Sequence, residues 1–398
     1  MRSNPRLVDD RAISPAKPER SHVAALDGVR GLAILLVLVF HFTSWASDSV
    51  DIPVLFHWTT LGQRGVDLFF VLSGYLITGI LWDTRRAAHF FKNFYMRRAL
   101  RIFPLYYFAV LATVLLAAAF PGNPKYQAVA EQQAWLWTYT VNIAMALKSR
   151  WGFYGMNHFW SLSVEEQFYL VWPFVVWRLE RKTLIRVCFV LAAVAIAIRA
   201  WFALGMHTEQ APYVLTVCRM DSLLLGAALA LETRGPEPAP GGWSTWSRRL
   251  GLGSLGLVLL AQTVPAIGSL TGRAFDLVVM PTVFAVIFAG MISATLARRG
   301  WLRRTFEQPV LRFFGRYSYG LYVFHHPLKQ LWQKLVPLPR AAMVLHSDIL
   351  GTVVFTCVGV AGSTAIAWLS FRLMESRFLA LKGRFEDRSA LANGRAAG

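Results

Sequence analysis

Residues Leu26–Phe42 read LDGVRGLAILLVLVFHF. The stretch is apolar enough to begin a membrane span, which needs roughly 20 mostly apolar residues. Yet it carries Arg30 near one end and His41 near the other. A charge at the centre of a span costs at least about 2.5–3.5 kcal/mol on insertion scales, so an ionisable residue there is by default a functional feature. The two are close to three helical turns apart. They therefore share one helix face with an axial separation of about 16 Å.

The rest of the chain supports a membrane setting. Its 398 residues are 55% hydrophobic and only 16% charged, well under the quarter or so usual for soluble domains, with a mean hydropathy of +0.43. The 15 Trp and 28 Phe suit rings at a lipid–water boundary. A formal charge of +19 would suggest nucleic acid in a soluble protein. Here the basic residues fall in short runs between apolar blocks, so the expectation is membrane orientation and no nucleic-acid partner. Cys188, Cys218 and Cys357 lie inside apolar blocks without zinc-site or disulfide spacing. No metal and no tightly bound cofactor are expected.

About ten segments are long and apolar enough to span, near residues 26–45, 65–82, 102–120, 160–178, 184–204, 212–231, 250–270, 276–297, 314–333 and 348–373. A further apolar piece, Ala134–Leu147, is short, as re-entrant or interfacial helices are. If it does not span, the loops alternate cleanly, with about 30 of the 41 Lys and Arg on one side, as the positive-inside rule requires of the cytoplasmic face. The sequence thus predicts an all-α polytopic fold in the plasma (inner) membrane, with both termini cytoplasmic and Ala134–Leu147 on the outer face. The polar, Pro-containing residues 1–25 lead into the first span without a small-residue cleavage site, so they read as a cytoplasmic tail rather than a signal peptide. Residues 233–247 read as a Pro/Gly-rich linker, residues 26–378 as the membrane domain and residues 379–398 as a cytoplasmic tail.

That orientation puts His41, Arg64, Asp67, Ser161, Ser163, Glu165, Glu166, Arg199, Arg219, Asp221, His325 and His326 in one slab of the outer leaflet, a polar chamber fed by six spans. For Arg64, Arg199 and Glu166, snorkelling to the interface is an equal reading. Arg219 and Asp221 also admit a structural role, neutralising each other or their neighbours. An imidazole with an ordinary pKa of about 6.5 suits a general base. At the opposite end, Arg98 and Arg101 share a helix face, where guanidinium groups bind phosphate in bidentate fashion. Ordinary positive-inside residues are the alternative.

Several motifs in order now bear comparison with a family. The Leu26–Phe42 stretch has a basic residue, a ten-residue gap and a histidine. It is followed by GVDLFFVLSGYLIT with Asp67, RRALRIFPLYY with Arg98 and Arg101, and FWSLSVEEQFYLVWP with Trp160, Ser161 and Glu165. CRMDSLLLGAALA supplies Arg219 and Asp221, and YSYGLYVFHHPL supplies Ser318, Tyr319 and His325. Together they resemble acyltransferase family 3, the integral-membrane, acyl-CoA-dependent O-acyltransferases, over about residues 26–378.

The resemblance implies transfer of an acyl group, most often acetyl, from cytoplasmic acyl-CoA to a hydroxyl of a carbohydrate or glycoside. The C-terminal hydrolase-like domain of some relatives is not expected. His41, Glu165 and Asp221 are the candidate catalytic residues. Arg30, Arg98, Arg101, Asp67, Ser161, Arg219, Ser318, Tyr319 and His325 are candidates for substrate binding, with the first three arginines on the CoA phosphates. His41 would act as base or carry the acyl group itself. The rival is a glycolipid transporter, which also gathers ionisable groups near a midplane site, although no inverted repeat is visible. A membrane scaffold would leave His41 without a purpose.

Overall fold

A computed structural model describes residues 23–235, 241–264, 272–297 and 300–385. Most of the expected N-terminal tail, the centre of the 233–247 linker and residues 386–398 of the expected C-terminal tail lie outside these. Among the described residues all regular structure is helical. Each of the expected segments overlaps one longer helix. These helices are α1 (Ala24–Ser47), α2 (Gly65–Thr84), α3 (Phe90–Ala119), α4 (Phe159–Arg178), α5 (Arg181–Ala200), α6 (Thr216–Glu232), α7 (Trp243–Thr263), α8 (Met280–Thr295), α9 (Pro309–Phe324) and α10 (Asp348–Ser370). Six helical runs, containing α1, α2, α3, α5, α6 and α10, are long and apolar enough to cross a membrane, and the chain is a polytopic membrane protein. The other four are shorter or more polar: α4 carries Glu165 and Glu166, and α9 stops at Phe324.

Several boundaries differ from the sequence reading; α3, for one, starts at Phe90 rather than near 102. The second span does not start at residue 65, because Pro53–Thr59 and a 3₁₀ turn at Thr60–Arg64 lead directly into α2 as one helical run of 32 residues. Arg64 and Asp67 therefore lie within a longer helical run rather than at its start, and Asp67 is buried. The ninth helix ends at His325 instead of running to residue 333, with a turn before the short helix Lys329–Leu335. Pro327 explains the break, since proline lacks an N–H and disfavours helical backbone at the residue before it. Trp243–Ser247, read as linker, is the first turn of α7.

Ala134–Leu147 forms no continuous helix. It divides into Gln133–Trp137 and Val141–Lys148 around Tyr139, whose φ is 54°. Neither piece is long enough to span. At the other terminus, Ser376–Ala380 and the turn Leu381–Phe385 fold back against α3.

Two parallel helix pairs organise the interior. Between apolar surfaces in lipid there is no hydrophobic drive to associate, so helices pack closest where residues are small. On α1 and α9, a methyl group added to Gly31 would strike the Leu311 carbonyl, and one added to Gly315 would strike the Asp27 carbonyl. On α2 and α6, Gly74 and Gly226 bring the helices together against Leu223 and Val71 in the same way. The first pair matters most for the site, because it carries Arg30 and Arg312 at one end and His41 and His325 at the other.

Candidate active site

At the Arg30 end, α1, α3 and α9 border an open cavity of about 560 Å³ lined by Asp27, Arg30, Arg101, Arg312, Arg316 and Tyr317 among others. Arg30 pairs with Asp27 at 3.6 Å and lies within electrostatic range of Arg98 and Arg101. Lys382, on the turn folded back against α3, sits close to the same arginines. Tyr319 donates to the Ile102 carbonyl at 2.6 Å, which ties α9 to α3 directly beside Arg101. Ser318 is buried and donates to the Gly315 carbonyl at 2.9 Å, within its own helix.

A line of polar groups leads inward. The Arg98 guanidinium lies 5.6 Å from the centre of the Tyr169 ring, and one helical turn from Tyr169 the Glu165 carboxylate accepts a hydrogen bond from Ser73 at 2.7 Å. Glu165, on α4, is thus tied to α2 through Ser73, with Tyr169, Arg98 and Arg30 among its neighbours. One turn further, Ser161 and Tyr322 are hydrogen-bonded at 2.5 Å. The Tyr322 hydroxyl donates to the His158 carbonyl at 2.9 Å. The Ser161 hydroxyl also lies 3.2 Å from the same carbonyl, so the three groups form one hydrogen-bonded set.

Beyond Tyr322 four imidazoles meet. The His41 ring centre is 4.9 Å from that of His325 and 5.5 Å from that of His326. His158 lies 5.0 Å from His325 and stacks on His326 at 5.1 Å. Two tautomers follow from the geometry. His41 Nδ1 is 2.9 Å from the Val37 carbonyl, and His325 Nδ1 is 2.8 Å from the Tyr322 carbonyl. A carbonyl only accepts, so both Nδ1 atoms carry the proton and both Nε2 atoms present a lone pair. Trp45 stacks on His325 at 6.4 Å, and Lys329 sits 5.2 Å from the Trp45 ring while pairing with Asp48 at 3.6 Å.

The remaining charged candidates form a separate network. Asp67 is ion-paired with Arg219 and lies 3.7 Å from Arg64. The Arg219 guanidinium is surrounded by Phe70, Trp160 and Tyr213 at 5.5–5.8 Å. Asp221 does not pair with Arg219. It takes Arg199 at 3.1 Å and Thr282 at 2.5 Å. Arg199 is fully buried, not snorkelling, and also donates to the Val278 and Cys218 carbonyls at 2.9 Å. Among the described residues, Asp221 makes no contact with the imidazoles.

Several residues at the site were not among the sequence candidates. His158 stands two residues before the Trp-Ser-Leu segment, but a lone histidine outside any apolar stretch gave no signal. Tyr322 reads as one more aromatic of α9, and Arg312 and Arg316 read as positive-inside charge. No group of three or more His, Cys, Asp or Glu able to hold a metal ion occurs among the described residues.

The fold and these residues define a polytopic helical membrane protein with an arginine-lined mouth joined by polar groups to an imidazole cluster. Residues 23–372 match the acyltransferase domain model Acyl_transf_3, and the chain belongs to that family. Among similar proteins, it is 27% identical to the peptidoglycan O-acetyltransferase OatA of Listeria monocytogenes over 90% of its length and 56% of the relative's. It is 27% identical to the putative O-acetyltransferase SACOL0978 of Staphylococcus aureus, over 90% and 57% of the two chains. For the putative peptidoglycan O-acetyltransferase YrhL of Bacillus subtilis the figures are 26%, 89% and 54%. The chain thus spans a little over half the length of these relatives. No solved structure matches it.

Proposed function

We propose that this protein transfers an acyl group, acetyl in the simplest case, from acyl-CoA to a hydroxyl of a carbohydrate or glycoside. The observation that carries the reading is the shared face of α1, with Arg30 at a cavity of arginines and His41 at a cluster of imidazoles about 16 Å away. The pantetheine arm of CoA runs through roughly a dozen bonds, the equivalent of about four extended residues, and so reaches about 14 Å. An arm of that length joins phosphates at Arg30, Arg98 and Arg101 to a thioester near His41. The polar line through Tyr169, Glu165 and Tyr322 gives it a path.

In this mechanism His41 Nε2 takes the proton of the acceptor hydroxyl, and the oxygen attacks the thioester carbonyl. The C–S bond then breaks, and the imidazolium returns the proton to the CoA thiolate, so the base is regenerated. Asp67, Arg219 and Asp221 hold the helices that frame the acceptor side. A carbohydrate acceptor is supported by relatives whose names specify peptidoglycan. The basic Arg30 end faces the cytoplasm in this reading, where acyl-CoA is made. All ten long helices cross the plasma membrane, residues 26–378 form the acyltransferase unit, and the two short helices of Ala134–Leu147 lie on the outer face.

Purified protein supplied with acetyl-CoA and a peptidoglycan or oligosaccharide acceptor should release free CoA and add an acetyl mass increment to the acceptor. A transporter would do neither.

A further inference from the structure

The CoA phosphates carry two separate anionic centres, the diphosphate in line with pantetheine and a phosphomonoester on the 3′-oxygen of the adenosine ribose. Resting on the acyl-CoA reading, we propose that Arg312 and Arg316 of α9 bind the 3′-phosphate and make the enzyme distinguish CoA from its dephospho form. The cavity has two basic walls. Arg30 and Arg101 form one, and they adjoin Arg98 and the inward line through Tyr169. The diphosphate must take this wall, because pantetheine leaves from it toward His41. Arg312 and Arg316, one turn apart on α9, form the other.

Arg312 and Arg316 are exposed, but they converge on the same pocket as Arg30 and Arg101. The tight crossing of Gly31 and Gly315 brings their turn of α9 against Arg30, so four guanidinium groups face one space of about 560 Å³ with Asp27 as its acid. Neither Arg312 nor Arg316 forms an ion pair among the described residues, whereas Arg303 on the preceding short helix is engaged by Glu307 at 2.8 Å. Arg316 lies over the rings of Tyr317 and Phe371, at 5.7 and 5.2 Å, which fixes its direction. Like charges gathered this closely repel unless a polyanion enters. A phosphomonoester, with close to two charges and three acceptor oxygens, matches a pair of forked donors.

The test compares acetyl-CoA with acetyl-dephospho-CoA as donors for wild type, the double variant Arg312→Gln with Arg316→Gln, and Arg304→Gln. Arg304 is an exposed arginine on the same side of the molecule and outside the cavity. Wild type should show a KM at least tenfold lower for acetyl-CoA. The double variant should lose that preference through a raised KM for acetyl-CoA alone, and Arg304→Gln should behave as wild type. Equal KM increases for both donors, an unchanged preference, or the same loss in Arg304→Gln would each overturn the assignment. A wild type that uses both donors equally would also remove it while leaving acyl transfer intact. Turnover of neither donor would instead remove the acyl-CoA reading itself.

Discussion

Replacing Arg199 with Ala tests whether the Arg199–Asp221 pair is scaffold. The guanidinium is fully buried, and its four bonds run to the Val278 and Cys218 carbonyls, Asp221 and Thr282. They join α5, α6 and the start of α8. Without it, the Asp221 carboxylate keeps Thr282 at 2.5 Å but loses its countercharge inside the bundle. Removing one member of a buried pair costs about 3–5 kcal/mol, mostly from the stranded charge, whereas replacing both by apolar residues of similar volume is often neutral. Arg199→Ala should therefore lose about 3–5 kcal/mol, and Arg199→Met with Asp221→Leu should recover most of it. Unfolding by detergent titration in mixed micelles, followed by helicity, measures both. Specific activity of the folded double variant should stay within a few-fold of wild type. A loss below about 1 kcal/mol for Arg199→Ala, or a double variant as unstable as the single, would refute the stranded-charge reasoning. A folded but inactive double variant would return Asp221 to the chemistry.

Two further outcomes follow from the packing. Gly315→Ala should cost about 1–3 kcal/mol by overpacking against the Asp27 carbonyl and should both raise the KM for acyl-CoA and lower kcat, since α9 lines both ends of the site; Gly253→Ala, in open space on α7, should do neither. In a variant without Cys357, which is exposed, Gly152→Cys should react with an impermeant thiol reagent in intact cells while Ala87→Cys stays silent. The reverse pattern would invert the proposed orientation.

The helices were legible because a span is a local property of length and hydropathy, and each expected segment overlaps a long helix, although 212–231, 276–297 and 314–333 also take in part of a shorter one. What escaped were boundaries set by neighbours. Residues 53–64 mix His57, Thr59 and Gln63 with apolar residues, so their continuation into α2 is fixed by packing, as in the Thr43–Thr59 hydrogen bond to α1 at 2.8 Å. The break after His325 was readable from Pro327 but was outweighed by the apolar residues beyond it. Within the site, Arg30 and His41 were legible because helical geometry alone puts them on one face. The partners of Asp67, Asp221 and Glu165 were not, since sequence spacing on one helix says nothing about which neighbour crosses it. His158 joined the imidazoles for the same reason.

The most direct measurement of the proposed chemistry is acetyl-CoA turnover by His41→Gln with its carbohydrate acceptor present, beside wild type at matched folded yield. Glutamine occupies a similar volume and cannot accept the acceptor's proton as an imidazole does. If His41 Nε2 is the base, kcat should fall by about 10²–10⁴-fold, the usual contribution of a positioned base, while the KM for acetyl-CoA changes little because the arginine mouth is untouched. Turnover of the variant within a few-fold of wild type would take His41 out of the mechanism and leave the imidazole cluster without its assigned role.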